Sequence, residues 1–92
     1  MIKTFRHKGL RRFFEDDDGS KLPPDMLERI RLILSTLHAA QTIEGMDVPT
    51  FCLHPLKGDM KGLFSVTVRA NWRIVFRFED ENAFDVDFID YH

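Results

Sequence analysis

The stretch Ser65-Val66-Thr67-Val68-Arg69-Ala70-Asn71-Trp72-Arg73-Ile74-Val75-Phe76-Arg77-Phe78 decides the fold. Val66 and Val68 alternate with Ser65, Thr67 and Arg69. Trp72, Ile74, Phe76 and Phe78 alternate with Arg73, Val75 and Arg77. A period of two is the signature of a strand with one buried face, so two strands meet around Ala70-Asn71. Residues directly opposite each other share a face. A loop of Ala70-Asn71 alone would set Val68 against Arg73 and turn an arginine into the core. A loop of Arg69-Ala70-Asn71 sets Val68 against Trp72 and Val66 against Ile74, which lines up the apolar side chains. Because burying a guanidinium is costly, the three-residue loop is expected. Ser65, Thr67, Arg73, Val75 and Arg77 then lie on the face away from any covering helix, with Arg69 at its end. That makes a cationic platform carried by rigid strands.

Working outward, Asp80-Glu81-Asn82 reads as a turn and residues 84–89 as a further strand. Upstream, residues 62–68 and the short segment 51–53 read as strands, the latter following the punctuation of Gly45 and Pro49. Pro23-Pro24-Asp25 opens a helix over 24–40, with proline tolerated in the first turn and an acid at the positive end of the dipole. Its apolar stripe is Leu27, Ile30, Leu34 and Leu37, widened by Met26 and Ile33. Residues 7–14 form a shorter amphipathic helix through Leu10, Phe13 and Phe14, which Gly9 weakens. Residues 16–20 form a polar turn, and residues 2–5 an opening strand. Two helices followed by antiparallel strands define an α+β fold, with both N-terminal helices on one face of a small sheet.

Ninety-two residues make one domain, 1–92, with one modest core. The chain is 43% hydrophobic and 30% charged, with nine Phe, which excludes a disordered composition. A single cysteine, Cys52, excludes a disulfide framework and favours the cytoplasm. No run of about 18 apolar residues is present to cross a membrane, and the first residues lack the apolar stretch of a signal peptide. The net charge of −2 argues against nucleic acid, but its distribution does not. Residues 1–12 hold Lys3, Arg6, Lys8, Arg11 and Arg12 without an acid. Residues 57–77 hold Lys57, Lys61, Arg69, Arg73 and Arg77 against Asp59 alone. The acids cluster at Glu15-Asp16-Asp17-Asp18 and beyond residue 78. Such segregation creates local positive fields on a nearly neutral chain.

Three constellations carry potential chemistry. In His54-Pro55-Leu56-Lys57-Gly58-Asp59, His54 offers an imidazole suited to proton transfer and Lys57 a compact cation for a phosphate oxygen; alternatively both are loop surface. In Asp90-Tyr91-His92 an acid, a phenol and an imidazole adjoin; a frayed terminus is the alternative. In Arg69-Ala70-Asn71-Trp72-Arg73, two arginines bracket a turn and can fork onto a phosphate, while Trp72 belongs to the core by parity. Arg77 has the alternative of pairing with Asp85 or Asp87. Glycine-rich phosphate loops and nucleophile elbows are absent. His7, His38, His54 and His92 lack metal-site spacing, and His38 reads as a helix-terminal residue.

Taken in order, the segment 54–59, the segment 65–74 and the ending Asp90-Tyr91-His92 resemble the HigB-type toxins of the RelE/ParE superfamily. Met1-Ile2-Lys3-Thr4-Phe5, Gly9-Leu10 and Phe13-Phe14-Glu15 are similar too, so the resemblance spans nearly the whole chain. It implies a RelE-like fold and a metal-free, cofactor-independent endoribonuclease that cuts messenger RNA in the ribosomal decoding site. It implies His54, Asp90, Tyr91 and His92 as the catalytic cluster and Lys57, Arg69 and Arg73 as the cationic shell. It further implies a helix-turn-helix antitoxin of the HigA kind, operator DNA reached only through that complex, and no membrane partner. This set departs from RelE itself, which relies more on Lys, Arg and Tyr than on histidine, and it leaves open which histidine is the acid and which the base. The rival readings are a ParE-like inhibitor of DNA gyrase, which has no need of His54, Lys57 and His92, and a non-catalytic nucleic-acid-binding module.

Overall fold

The computed structural model describes residues 1–91; His92 lies outside the described residues. The period-two segments form a four-stranded antiparallel sheet in the order β1 (His54–Pro55), β2 (Phe64–Arg69), β3 (Trp72–Glu79) and β4 (Asn82–Asp90). The 3.6-period segments form α1 (Lys8–Asp16) and α2 (Leu27–Ala39), the latter entered through a 3₁₀ turn at Pro24–Met26. Both helices cover the same face. Leu10 and Phe13 of α1, and Ile30, Ile33, Leu34 and Leu37 of α2, pack with Val66, Ile74, Phe76 and Val86 of the sheet. Most of these side chains are fully buried, and burial of each contributes about 1.5–3 kcal/mol.

The expected pairing of Val66 with Ile74 is present, but the turn is not the one the parity argument favoured. Thr67 pairs with Arg73 and Arg69 with Trp72, leaving only Ala70-Asn71 as the turn and Val68 as an extra, bulged residue. The bulge resolves the parity conflict in a different way. One inserted residue lets Val68 stay buried and keeps Arg73 out of the core, with Ala70 taking a positive φ of 51° to close the turn. A second bulge lies in β4. Val75 pairs with Asp87 and Arg77 with Phe84, so Asp85 and Val86 both lie against Phe76, with Asp85 at φ 54°. It turns Phe84 outward while Ala83, Val86 and Phe88 stay in the core.

The opening segment is not a continuous strand. Residues 2–5 run parallel to β4 through two isolated bridges, Ile2 with Ala83 and Phe5 with Val86. The bulge at Asp85 interrupts the ladder between them, and the Thr4 hydroxyl accepts the Asp85 N–H at 2.8 Å. The expected strand at 51–53 is also absent. Pro49–Phe51 is a 3₁₀ turn, Cys52 adopts a left-handed conformation (φ 52°, ψ 53°), and pairing begins only at His54. Phe51 is drawn into the core as the chain turns, and the left-handed Cys52 breaks the extended conformation that a strand over 51–53 would need.

Candidate active site

The register gathers the site in rows across the uncovered face. His54 on β1 pairs with Ser65, Ser65 with Val75, and Val75 with Asp87. One row along, Thr67 pairs with Arg73 and Arg73 with Ile89. His54 and Arg73 therefore share a face, one row apart and separated by β2. Between them lies an open cleft of about 380 Å³ lined by Cys52, His54, Leu56, Ser65, Thr67, Arg73 and Tyr91. A second hollow of about 180 Å³ continues from it past His54, Pro55, Leu56 and Lys57, again with Tyr91 on its wall. Leu56 and Ser65 are buried and form the floor, whereas His54, Lys57 and Tyr91 are exposed.

Each functional group has a structural reason for its position. Tyr91 is anchored beside the β2–β3 turn because its N–H donates to the Asn71 carbonyl at 2.8 Å. Arg73 is half-buried and donates through Nη1 to the Thr67 hydroxyl, which holds its fork over the cleft. No carboxylate among the described residues pairs with it. Gly58 adopts φ 67° and allows the chain to turn straight after Lys57. The Leu56 N–H donates to the Leu63 carbonyl, returning the loop toward β2.

The structure brings together His54, Lys57, Arg73 and Tyr91. It does not bring Arg69 to them. The Val68 bulge aligns Arg69 with Trp72, and its guanidinium forms an ion pair with Asp25 at the entrance to α2. Arg69 thus lies toward the helix side of the turn, apart from the cleft where it is expected to join Arg73. Asp90 is exposed and pairs in register with Trp72 rather than facing the Arg73 row, and it does not line the cleft. Trp72 itself stacks on Phe88 with ring centroids 4.7 Å apart, as parity required of a core residue. The role assigned to His92 falls on a residue outside the described region. His7 and His38 serve the backbone: their Nδ1 atoms accept the N–H of Leu10 and of Ile2, each at 3.1 Å. Among the described residues, no three His, Cys, Asp or Glu side chains gather to hold a metal ion. No helix among them is long and apolar enough to cross a membrane.

Arg29 was not legible as part of this architecture. From α2 its Nη2 donates to the carbonyls of Thr50 at 2.5 Å and Thr67 at 3.1 Å, and its Nη1 to the Thr50 hydroxyl at 3.2 Å. It thereby ties the segment leading into Cys52 and His54 to the strand that carries Thr67. In sequence it is one more charge on an amphipathic helix, and its partners lie 21 and 38 positions away.

Comparison with known proteins gives the family and the fold. Residues 3–92 match the family of RelE-like toxins of type II toxin–antitoxin systems, HigB. The chain is 44% identical over its whole length, and the relative's, to Endoribonuclease HigB of Proteus vulgaris. It is 31% identical to Toxin HigB-1 of Vibrio cholerae serotype O1, covering all of this chain and 98% of that one. Among solved structures, a histidine-to-glutamine mutant of Escherichia coli YafQ superposes with a TM-score of 0.58 at 14% identity, over 95% of this chain and 87% of that one. YoeB in the YoeB–YefM complex of Staphylococcus aureus superposes with a TM-score of 0.58 at 18% identity, over 100% and 95%. The two structures share the fold, and the two sequence relatives share the full chain. The protein therefore belongs to the HigB-like family of RelE-type toxins of type II toxin–antitoxin systems.

Proposed function

We propose that this toxin is an endoribonuclease that cuts messenger RNA in the decoding site of the translating ribosome. The observation that carries the reading is that His54 and Tyr91 line both of two adjoining hollows, one holding Arg73 and the other Lys57, and that among the described residues the Arg73 fork is bound to a hydroxyl and to no carboxylate. The 44% identical Proteus relative named as an endoribonuclease supports it. A gyrase inhibitor or a passive nucleic-acid binder would have no evident use for an imidazole and a guanidinium lining one cleft.

The chemistry is cleavage by the neighbouring 2′-hydroxyl. A base removes the 2′-hydroxyl proton, O2′ bonds to phosphorus, the P–O5′ bond breaks, and an acid protonates the departing O5′. The products are a 2′,3′-cyclic phosphate and a 5′-hydroxyl. His54 and His92 carry the two proton transfers, each worth about 10²–10⁴-fold. His92 is the covalent neighbour of Tyr91, which lines the cleft. Asp90 orients an imidazole, and Tyr91 stacks on a base at the cleft mouth. Arg73 and Lys57 stabilise the charge that develops on the phosphorane oxygens. The ribosome supplies most of the substrate positioning. The partner in the resting cell is a helix-turn-helix antitoxin of the HigA kind, which carries the complex to operator DNA, and the site of action is the cytoplasm.

The test is a translation extract fed a defined message. Wild-type protein should cut it, leaving cyclic-phosphate 3′ ends, and the His54→Ala, His92→Ala pair should not. Uncut message with wild type, full cutting by the pair, or free 3′-hydroxyl ends would each overturn the reading.

A further inference from the structure

Away from the strand-face cleft, a second open groove of about 600 Å³ runs along the start of α1, lined by His7, Lys8, Gly9, Arg11, Arg12 and Lys21. We propose that it is a second RNA-binding site, taking the sugar-phosphate backbone and separate from the catalytic cleft. The occupant rests on the endoribonuclease reading; the groove does not.

The arginines of the chain divide by partner. Arg31 pairs with Asp17, Arg69 with Asp25, and Arg77 with Glu79 and Asp85. Among the described residues, Lys8, Arg11, Arg12 and Lys21 have no such partner, and all four line this groove. Among the described residues, the nearby acids form no ion pair with them. Glu15 and Asp16 lie a turn further along α1 and do not line the groove. The Asp18 carboxyl accepts hydrogen bonds from Ser20, which hold it below its usual range; the Arg12 and Lys21 charges add to that lowering, so Asp18 offsets them in part, but it forms no ion pair with either. The charge order along α1 is also inverted. Its first turn carries no acid and its last turn no base, against the preference set by the helix dipole. An arrangement that works against the helix concentrates positive potential at one place.

The groove is built rather than incidental. A Cβ on Gly9 would lie 2.8 Å from the Lys21 Cβ and 2.9 Å from the His7 Cε1, so glycine is what lets Lys21 and His7 close in on α1. The His7 Nδ1 is occupied by the Leu10 N–H, which leaves Nε2–H as the donor of the neutral ring. The lining holds no large apolar side chain. A peptide partner would need an apolar anchor at the centre of its interface, whereas a phosphate backbone needs cations and N–H donors.

The experiment measures binding of the full-length toxin to a single-stranded RNA oligomer and to empty small ribosomal subunits across a salt series. It uses wild type, Arg11→Gln with Arg12→Gln, and Arg11→Lys with Arg12→Lys. The glutamine pair should weaken binding to both RNAs and lower the slope of log K against log salt by roughly 0.7 for each phosphate no longer neutralised. The lysine pair should keep the slope. In the cleavage assay the glutamine pair should raise the ribosome concentration needed for half-maximal cutting and leave the saturated rate unchanged. An unchanged salt slope in the glutamine pair overturns the proposal. So does an unchanged slope accompanied by weaker binding of an acidic protein partner, which would assign the groove to protein. Since the slope is read without any cutting, wild-type toxin that binds with the expected slope yet leaves messages intact would refute the nuclease reading alone.

Discussion

Arg73 and Arg77 lie on the same strand and the same face, four residues apart, yet the fold treats them in opposite ways. Arg77 is bonded to Glu79 at 2.5 Å, lies 3.6 Å from Asp85, and sits over the Phe84 ring at 4.6 Å. Among the described residues, Arg73 has the Thr67 hydroxyl and no carboxylate. The neighbours that make the difference come from β4. Opposite Arg73 the register supplies Ile89, whereas the bulge near Arg77 turns Phe84 outward and brings in Asp85. Placing a cation on a face is therefore not enough to make it a binding group. Its charge is available to a ligand only where the surrounding structure withholds a carboxylate.

That contrast is open to direct attack. The largest expected effect is on catalysis. Arg73→Ala should lower the single-turnover rate of message cutting by about 10²–10³-fold, the usual loss for one donor to a developing oxyanion, while Arg77→Ala should change it little. Equal losses would erase the distinction. Next, Thr67→Glu would give Arg73 the kind of partner that Arg77 already has. An opposite charge at close range is worth about 1–4 kcal/mol between water and a partly screened surface, so cutting should fall roughly tenfold or more with the fold intact by circular dichroism. Undiminished cutting would show that an uncompensated guanidinium is not what matters.

Arg29→Ala tests the support beneath Arg73. Losing charged hydrogen bonds to the Thr50 and Thr67 carbonyls should cost about 1.5–3 kcal/mol in a urea titration, and Arg29→Lys should recover only part of it because lysine lacks the fork. A loss below about 0.5 kcal/mol would show that these bonds contribute little. The smallest effect belongs to the other end of the face. Arg77→Ala removes exposed ion pairs and should cost no more than about 1 kcal/mol. A larger loss in the same titration would mean that Arg77 is structural and the comparison is not one of charge alone.

The bulges also mark where sequence reasoning stopped. Alternation identified β2, β3 and β4, the polar and apolar faces of β2 and β3, and the Val66–Ile74 register. It could not distinguish a longer loop from a bulge at Val68, because both keep the apolar side chains on one side. The choice decides where Arg69 goes, and with it the membership of the cationic shell. The helices were readable from their stripes, and the short pairing at His54–Pro55 was misplaced because a left-handed Cys52 overrides β propensity locally. Gly9, read as a weakness in α1, is instead required by the close approach of Lys21.

The order of the chain determined by itself the α+β class, the two helical stripes, the polar strand face and the resemblance that named the family. These follow from periodicity and from residues adjacent along the chain. The tertiary structure alone decided which cations stay uncompensated. Arg69 meets Asp25 across 44 positions, and Arg29 meets Thr67 across 38. Whether two charges cancel depends on distances of a few ångströms between segments far apart in sequence, and a one-residue bulge is enough to change the answer.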